Sequence, residues 1–212
     1  MEPQWRSPVV WRRAGTGIAG LVVAASLLHA AVASAAATTV GVVDFYAPTP
    51  VPVIGAVIPE RTAADELSAL LAHAGSVTVV SRAEVARAET AMGWRPESVL
   101  SFGQLGALAR AVGADRLVVG WITMLSVPGA GGAPLVPDGN GIPLAQAAVV
   151  VQVFDTGQGR IVAETRQSAS DVGVVPEILV RDVLRNALAP AVPWLLAHFV
   201  PASMRATPGC CE

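Results

Sequence analysis

Lysine is missing from this chain: all fourteen of its basic residues are arginine. That absence rules out a phosphate-binding loop lysine, a Schiff-base lysine and a Ser-x-x-Lys nucleophile pair. Histidine is nearly as scarce, with only His29, His73 and His198. The two cysteines sit side by side at Cys210-Cys211. No HExxH, CxxC or GxSxG occurs, so neither a zinc site nor a serine-hydrolase elbow has support in the sequence. Charged residues are also few, at 14% of the chain against 53% apolar, and the net charge is −2. The arginines are scattered singly, whereas phosphate binding needs a clustered positive face, so nucleic acid is excluded as a partner. An apolar, charge-poor composition points instead to the cell envelope or a membrane.

What is present is most legible at the amino terminus. Arg6, Arg12 and Arg13 precede an uncharged run from Ala14 to Val43, whose most apolar part is "IAGLVVAASLLHAAV". Ala33-Ser34-Ala35 and further alanines follow. A basic start, an apolar middle and a small-x-small exit describe a secretory signal peptide over residues 1–37. The run is also long enough to serve as an uncleaved signal anchor. "GTGIAG" (15–20) matches G-x-G-x-x-G but follows no strand and lies inside this leader, as does His29, so neither carries chemistry. No cysteine stands near the exit, which excludes a bacterial lipoprotein anchor.

Residues 38–200 read as one α/β domain and 201–212 as a flexible tail. "TTVGVVDFY" (38–46) predicts a first strand, and "APTPVPVIGAVIP", with four prolines and a glycine, a loop. A helix is expected from Glu60 to its glycine stop at Gly75, with Leu67, Leu70, Leu71 and Ala74 at helical spacing. Strand 76–81, helix 82–93, a turn at 94–98 and a helix capped by Ser101 follow. The last of these carries Phe102, Leu105, Leu108, Ala109 and Val112 on its stripe. Gly113 ends it where a left-handed residue costs least, and Asp115 satisfies backbone groups in the turn.

The run Leu117–Leu125 is apolar at nearly every position, as expected of a strand buried on both faces, and Gly120 within it marks a close approach or a bulge. A turn-rich loop of about 18 residues separates it from strands 145–156 and 160–170. The hairpin turn Thr156-Gly157-Gln158-Gly159 is expected to place its glycines at positive φ. A long apolar helix (174–200), bent or broken by Pro190 and Pro193, closes the domain. The order predicts a single mixed, mostly parallel sheet of about five strands with helices on its faces.

The residues able to carry chemistry are few. Asp44 and Asp155 each end a strand, where active-site carboxylates often sit, but turn or cap carboxylates also sit there. His73 ends a helix, and His198 lies in the apolar last helix as a packing residue. The glycine-rich loop 129–141 lacks phosphate-binding spacing and reads as a surface loop. Trp94-Arg95 has the composition of a contact point or of a tryptophan folded over the core edge. Cys210-Cys211 offers an interchain bridge or idle thiols, since a ring between neighbours is strained.

The succession "VGVVDF", "VTVVSRAEVARAE", "LGALARAVGADRLVVGWI" and "VVVQVFDTGQGRIVAE" resembles the family of the curli-secretion channel subunit CsgG, the LpoB-like penicillin-binding-protein activators and the TolB amino-terminal domain. Arg82, Gly113-Ala114-Asp115, Gly120 and Asp155-Thr156-Gly157 fall at its motif positions, over about residues 40 to 190. The resemblance implies an exported, non-enzymatic cell-envelope module with no catalytic, cofactor or metal residues. Such a module acts through a protein partner or self-association, and touches the membrane only if the leader is retained. A subunit of a secretion assembly is one form of it. The chain departs from the channel members, whose long membrane hairpins the 126–143 loop is too short and too rich in proline and glycine to supply. The alternative from another class is an exported hydrolase using Asp44 and Asp155, which requires the two carboxylates to converge. Amino-terminal sequencing of the protein recovered from cells is expected to begin within two residues after Ala35, whereas a start at Met1 would establish a retained anchor.

Overall fold

The computed structural model describes residues 37–48, 53–95, 98–127 and 143–199. The expected leader up to Ala36, the loop 129–141 and the tail 201–212, with His29 and Cys210-Cys211, lie outside these. The β-branched run after the leader forms β1 (Thr39–Val42). It runs parallel to β2 (Thr78–Val79) on one side and β3 (Arg116–Ser126) on the other. β4 (Leu144–Asp155) and β5 (Arg160–Val172) complete a five-stranded sheet of order β2-β1-β3-β4-β5. The helices are α1 (Pro59–Ala74), α2 (Arg82–Ala91), α3 (Phe102–Val112), α4 (Pro176–Leu188) and α5 (Ala191–Phe199).

The chain steps from β1 to β2, then reverses past β1 to reach β3. Right-handed crossovers in opposite directions must lie on opposite faces of the sheet. Accordingly α1 joins α4 and α5 on one face, burying Val40, Val42, Leu67, Leu71, Val183, Leu184, Leu195 and Phe199 against alternate β4 residues from Ala145 to Val153. On the second face α2 and α3 bury Val85, Leu105 and Leu108 against Val43, Val80, Leu117 and Phe154.

Local signals set the boundaries of these elements. Gly75 and Gly113 adopt left-handed φ of 69° and 65° at the ends of α1 and α3. Ser101 and Gln104 form a reciprocal capping box. Pro190, which has no N–H, separates α4 from α5, and Pro193 falls in the first turn of α5, where a missing donor costs nothing.

Three expectations need correction. The sheet is not mostly parallel: only the short β1 pairs in parallel, and the long β3–β4 and β4–β5 ladders are antiparallel. Apolar runs in these strands mimic a parallel core because one face lies under helices and the other still carries Val119, Trp121 and Val150. The expected strand 76–81 shrinks to two residues, since β1 ends at Val42 and Ser81 is already the cap of α2. The closing helix is broken at Pro190, as its prolines led one to expect. β3 is buried on both faces only at Leu117 and Val118; beyond them Val119 and Trp121 are half-buried on the second face and Met124 is exposed.

Gly120 itself is explained by the course of the chain after β1. Val43 N–H donates to Val118 O, Asp44 and Phe45 swing away, and Tyr46 returns to β3 by donating to Gly120 O and accepting from Ile122 N–H. The fully buried Phe45 ring lies over Gly120, where a Cβ would stand 2.6 and 2.7 Å from ring atoms Cζ and Cδ1. Gly120→Ala is expected to cost about 1–3 kcal/mol of stability by overpacking, with part recovered by adding Phe45→Leu. The check is the midpoint of urea unfolding at unchanged slope.

Candidate functional site

The carboxyl end of β1 is where the chain leaves the sheet for α1 while β3 runs on past Val118 without β1 beside it, the usual kind of place for a crevice in an open α/β sheet. Arg82 opens α2 there, behind the Ser81 cap that accepts from Glu84 N–H. An arginine presents five N–H donors in a rigid fork. Nη1 of Arg82 donates to Val42 O, Nη2 to Asp44 Oδ1, and Nε to Asp65 Oδ1 at 3.0 Å. Arg61 Nε stands 3.8 Å from Asp44 Oδ2. One helical turn or two further along α2, Glu89 Oε1 accepts the Asp44 backbone N–H at 2.9 Å.

Glu89 is only 3% exposed. Burial, and then the neighbouring Asp44 carboxylate, push its pKa up to about 7 against the pull of the Asp44 N–H and of Arg82 and Arg61. Burial also raises the pKa of Asp44, outweighing the two arginines. Glu89 went unnoticed in the sequence because a glutamate on a helix ordinarily faces water. The only hint was its place, one position beyond the Val85–Ala88 stripe.

Asp155 lies elsewhere. It stands in the row of Arg116 and Val40, at the start of the parallel strands, about 13 Å along the sheet from Asp44 by strand rise. Its carboxylate accepts from Gln158 N–H and Nε2 at 2.9 and 3.0 Å and pairs with Arg116 Nη2 at 3.0 Å. The structure thus keeps Asp44 and Asp155 apart, and the convergence that a hydrolase reading needs is not there.

The other singled-out residues have structural roles. Asp115 Oδ2 accepts Thr39 N–H at 2.8 Å, and Thr156 Oγ1 donates to Ala114 O at 2.9 Å. The Gly-Ala-Asp and Asp-Thr-Gly elements therefore meet in one joint that ties β1, β3 and the β4–β5 turn together. Within that turn only Gly159 has positive φ, because Gln158 N–H is held by Asp155 and leaves Gly157 in an ordinary conformation. His198 Nδ1 lies 2.8 Å from Trp194 O, with the two rings 4.3 Å apart. His73 is exposed in the last turn of α1, where Gly75 N–H serves the Ala72 carbonyl. Trp94 Nε1 donates to Ser98 O at 2.9 Å and closes its turn. Among the described residues no group of three or more His, Cys, Asp or Glu side chains is arranged to hold a metal ion.

Beside Asp44 opens a groove of about 360 Å³ that sequence reasoning missed. α2 and α3 cover only the β1 side of the second face. Past them, the paired rows Val119–Gln152–Glu164 and Trp121–Val150–Arg166 carry no helix above them among the described residues. Val119 and Trp121 form the floor, Tyr46 one wall, and Val99, Leu100 and Phe102 the other. Val99 and Phe102 are 63% and 58% exposed, a high value for apolar residues beside a groove. Phe102 was expected in the core because its helical spacing matches the buried stripe. In fact it is the first residue of α3, beyond the edge of what the sheet covers, with its ring 6.3 Å from that of Phe154.

No protein-family model matches this chain, and no curated protein matches it. Among solved structures it is similar to lipoprotein GNA1162 of Neisseria meningitidis, with a TM-score of 0.48 and 14% identity over 76% of this chain and 99% of that one. It is similar to the hypothetical protein CT253 of Chlamydia trachomatis at a TM-score of 0.47 and 14% identity, with the same shares covered. The LpoB C-terminal domain from Escherichia coli gives a TM-score of 0.42 and 18% identity over 70% of this chain and 94% of that one. LpoB is one of the proteins whose family the sequence resembles. Likenesses this loose carry no activity or partner to this chain.

The raised pKa of Glu89 fixes the sign of a pH effect. Its carboxyl holds a proton more firmly folded than unfolded, so the stability it contributes is full below about pH 4.5 and is lost as the pH rises through about 7. The amount is on the order of 3 kcal/mol. Glu89→Gln keeps an oxygen for the Asp44 N–H and removes the titration. Urea unfolding between about pH 5 and about pH 8 is expected to give a flatter profile for the variant, and greater stability than the parent at the alkaline end.

Proposed function

We propose that this protein is an exported, non-enzymatic module of the cell envelope that works by binding a protein partner through the groove beside Asp44. The observation that carries this reading is the pair of aromatic side chains, Trp121 and Phe102, set on the floor and wall of an apolar groove whose sheet face has no helix over it among the described residues. Aromatic residues in a desolvatable groove are the usual anchors of an interface, because they bury large area at small cost in rotamer entropy. The leader pattern supports export. The order of motifs shared with the CsgG, LpoB and TolB group supports a binding role. The distance between Asp44 and Asp155 takes away the geometry on which the hydrolase alternative depended.

The test compares the tagged parent with the double variant Trp121→Ala/Phe102→Ala, both made in the native envelope. Both side chains are partly exposed, so the variant is expected to keep its circular dichroism and most of its stability. Chemical crosslinking should recover a protein partner with the parent, and the yield should fall by about tenfold or more in the variant. Undiminished recovery would remove the groove from the interface.

A further inference from the structure

β5 is thirteen residues long and, among the described residues, has a neighbouring strand on one side only. Its outer edge presents a row of backbone donors and acceptors. Proteins commonly shorten, bulge or cover such an edge to prevent pairing with another chain. β2, at the opposite edge, is indeed cut to two residues. The one irregularity in the β4–β5 ladder lies opposite Ile161–Ala163, and from Ala163 to Val172 the strand is unbroken.

The side chains along this edge have a definite pattern. Glu164 and Arg166 point to the same open face, two residues apart. Glu164 Oε1 accepts from Arg166 Nε and Nη2 at 3.3 Å, and Glu164 Oε2 accepts from Gln152 Nε2 at 2.6 Å. Arg166 is 79% exposed, so its charge is largely free to choose a better partner. Opposite charges spaced by two on one strand are self-complementary under a two-fold axis.

We infer that β5 pairs antiparallel with β5 of a second copy of this chain, about a two-fold axis through Thr165. Each Glu164 then faces Arg166 of the partner subunit, and the reverse. Register can shift only so that opposed residues share the same backbone orientation. Moving the axis to Glu164 opposes two glutamates, and moving it to Arg166 opposes two arginines. With the axis at Gln167, each charge faces a serine. An axis at Val162 would set Glu164 against Arg160 but falls on the irregularity, so within the unbroken stretch the Thr165 axis is the one that makes two unlike pairs, and charge selects the register. This axis stands perpendicular to the sheet, so the two open faces lie on the same side of a continuous ten-stranded sheet. The inference is independent of what the groove binds.

The test uses the full chain with Cys210→Ser and Cys211→Ser. Thr165→Cys in that background places two thiols across the axis at a Cα spacing of about 4.5–5.5 Å, within disulfide range. Mild oxidation should therefore yield a covalent dimer. Ser168→Cys places its thiols about 20 Å apart and should not crosslink. By sedimentation equilibrium, Glu164→Arg and Arg166→Glu should each raise the dimer dissociation constant by about tenfold, and the double swap should restore it to within about threefold. A parent that stays monomeric, preferential crosslinking at 168, or a double swap that fails to rescue overturns the inference. Capture of a foreign strand by a monomeric chain overturns it as well.

Discussion

The guanidinium of Arg82, the first residue of α2, is bonded to the end of β1, to the Asp44 that follows it and to α1. Its fork takes up the Val42 carbonyl and the carboxylates of Asp44 and Asp65. Without it, Asp44 would be a buried charge facing only the distant Arg61, beside a second buried carboxyl in Glu89. Removing one partner of a buried pair is much costlier than never having built it, since the remaining charge stays desolvated. A lysine could neutralise Asp44 but could not span three acceptors in different directions. A chain whose only long cations are arginines suits this position.

The rest of the second face follows from that anchor. Because Arg82 and Glu89 pin α2 to the end of β1, α2 and α3 sit over β1, β2 and the first half of β3 and go no further. The detour of Asp44 and Phe45 links the two faces, sending the Phe45 ring over the bare backbone of Gly120 into the first-face core before Tyr46 returns to β3. What the helices do not reach becomes the groove and the open sheet beyond it.

Much of the framework was legible in the sequence because its signals are local. A left-handed glycine ends α1 and α3, a serine cap starts α3, and a proline parts α4 from α5, each acting within one turn of chain. Asp115 was legible as a residue that satisfies backbone groups, though the group it serves is the Thr39 amide, far away in sequence. The candidate site was mostly illegible because it depends on where coverage stops. Leu117–Leu125 is apolar at nearly every position, and nothing within it says that a helix overlies the first residues but not the rest. Phe102 matches a buried stripe and yet lies past the end of the covered sheet. Glu89 looks solvated until the fold brings the Asp44 amide to it.

Asp44 belongs both to the anchor and to the wall of the groove. Any occupant that seals the groove strips more water from this carboxylate, whose pKa burial already holds up. The joint that fastens β1 to α2 and the groove beside it thus share one carboxylate, so a change that loosens the joint also reshapes that wall of the groove.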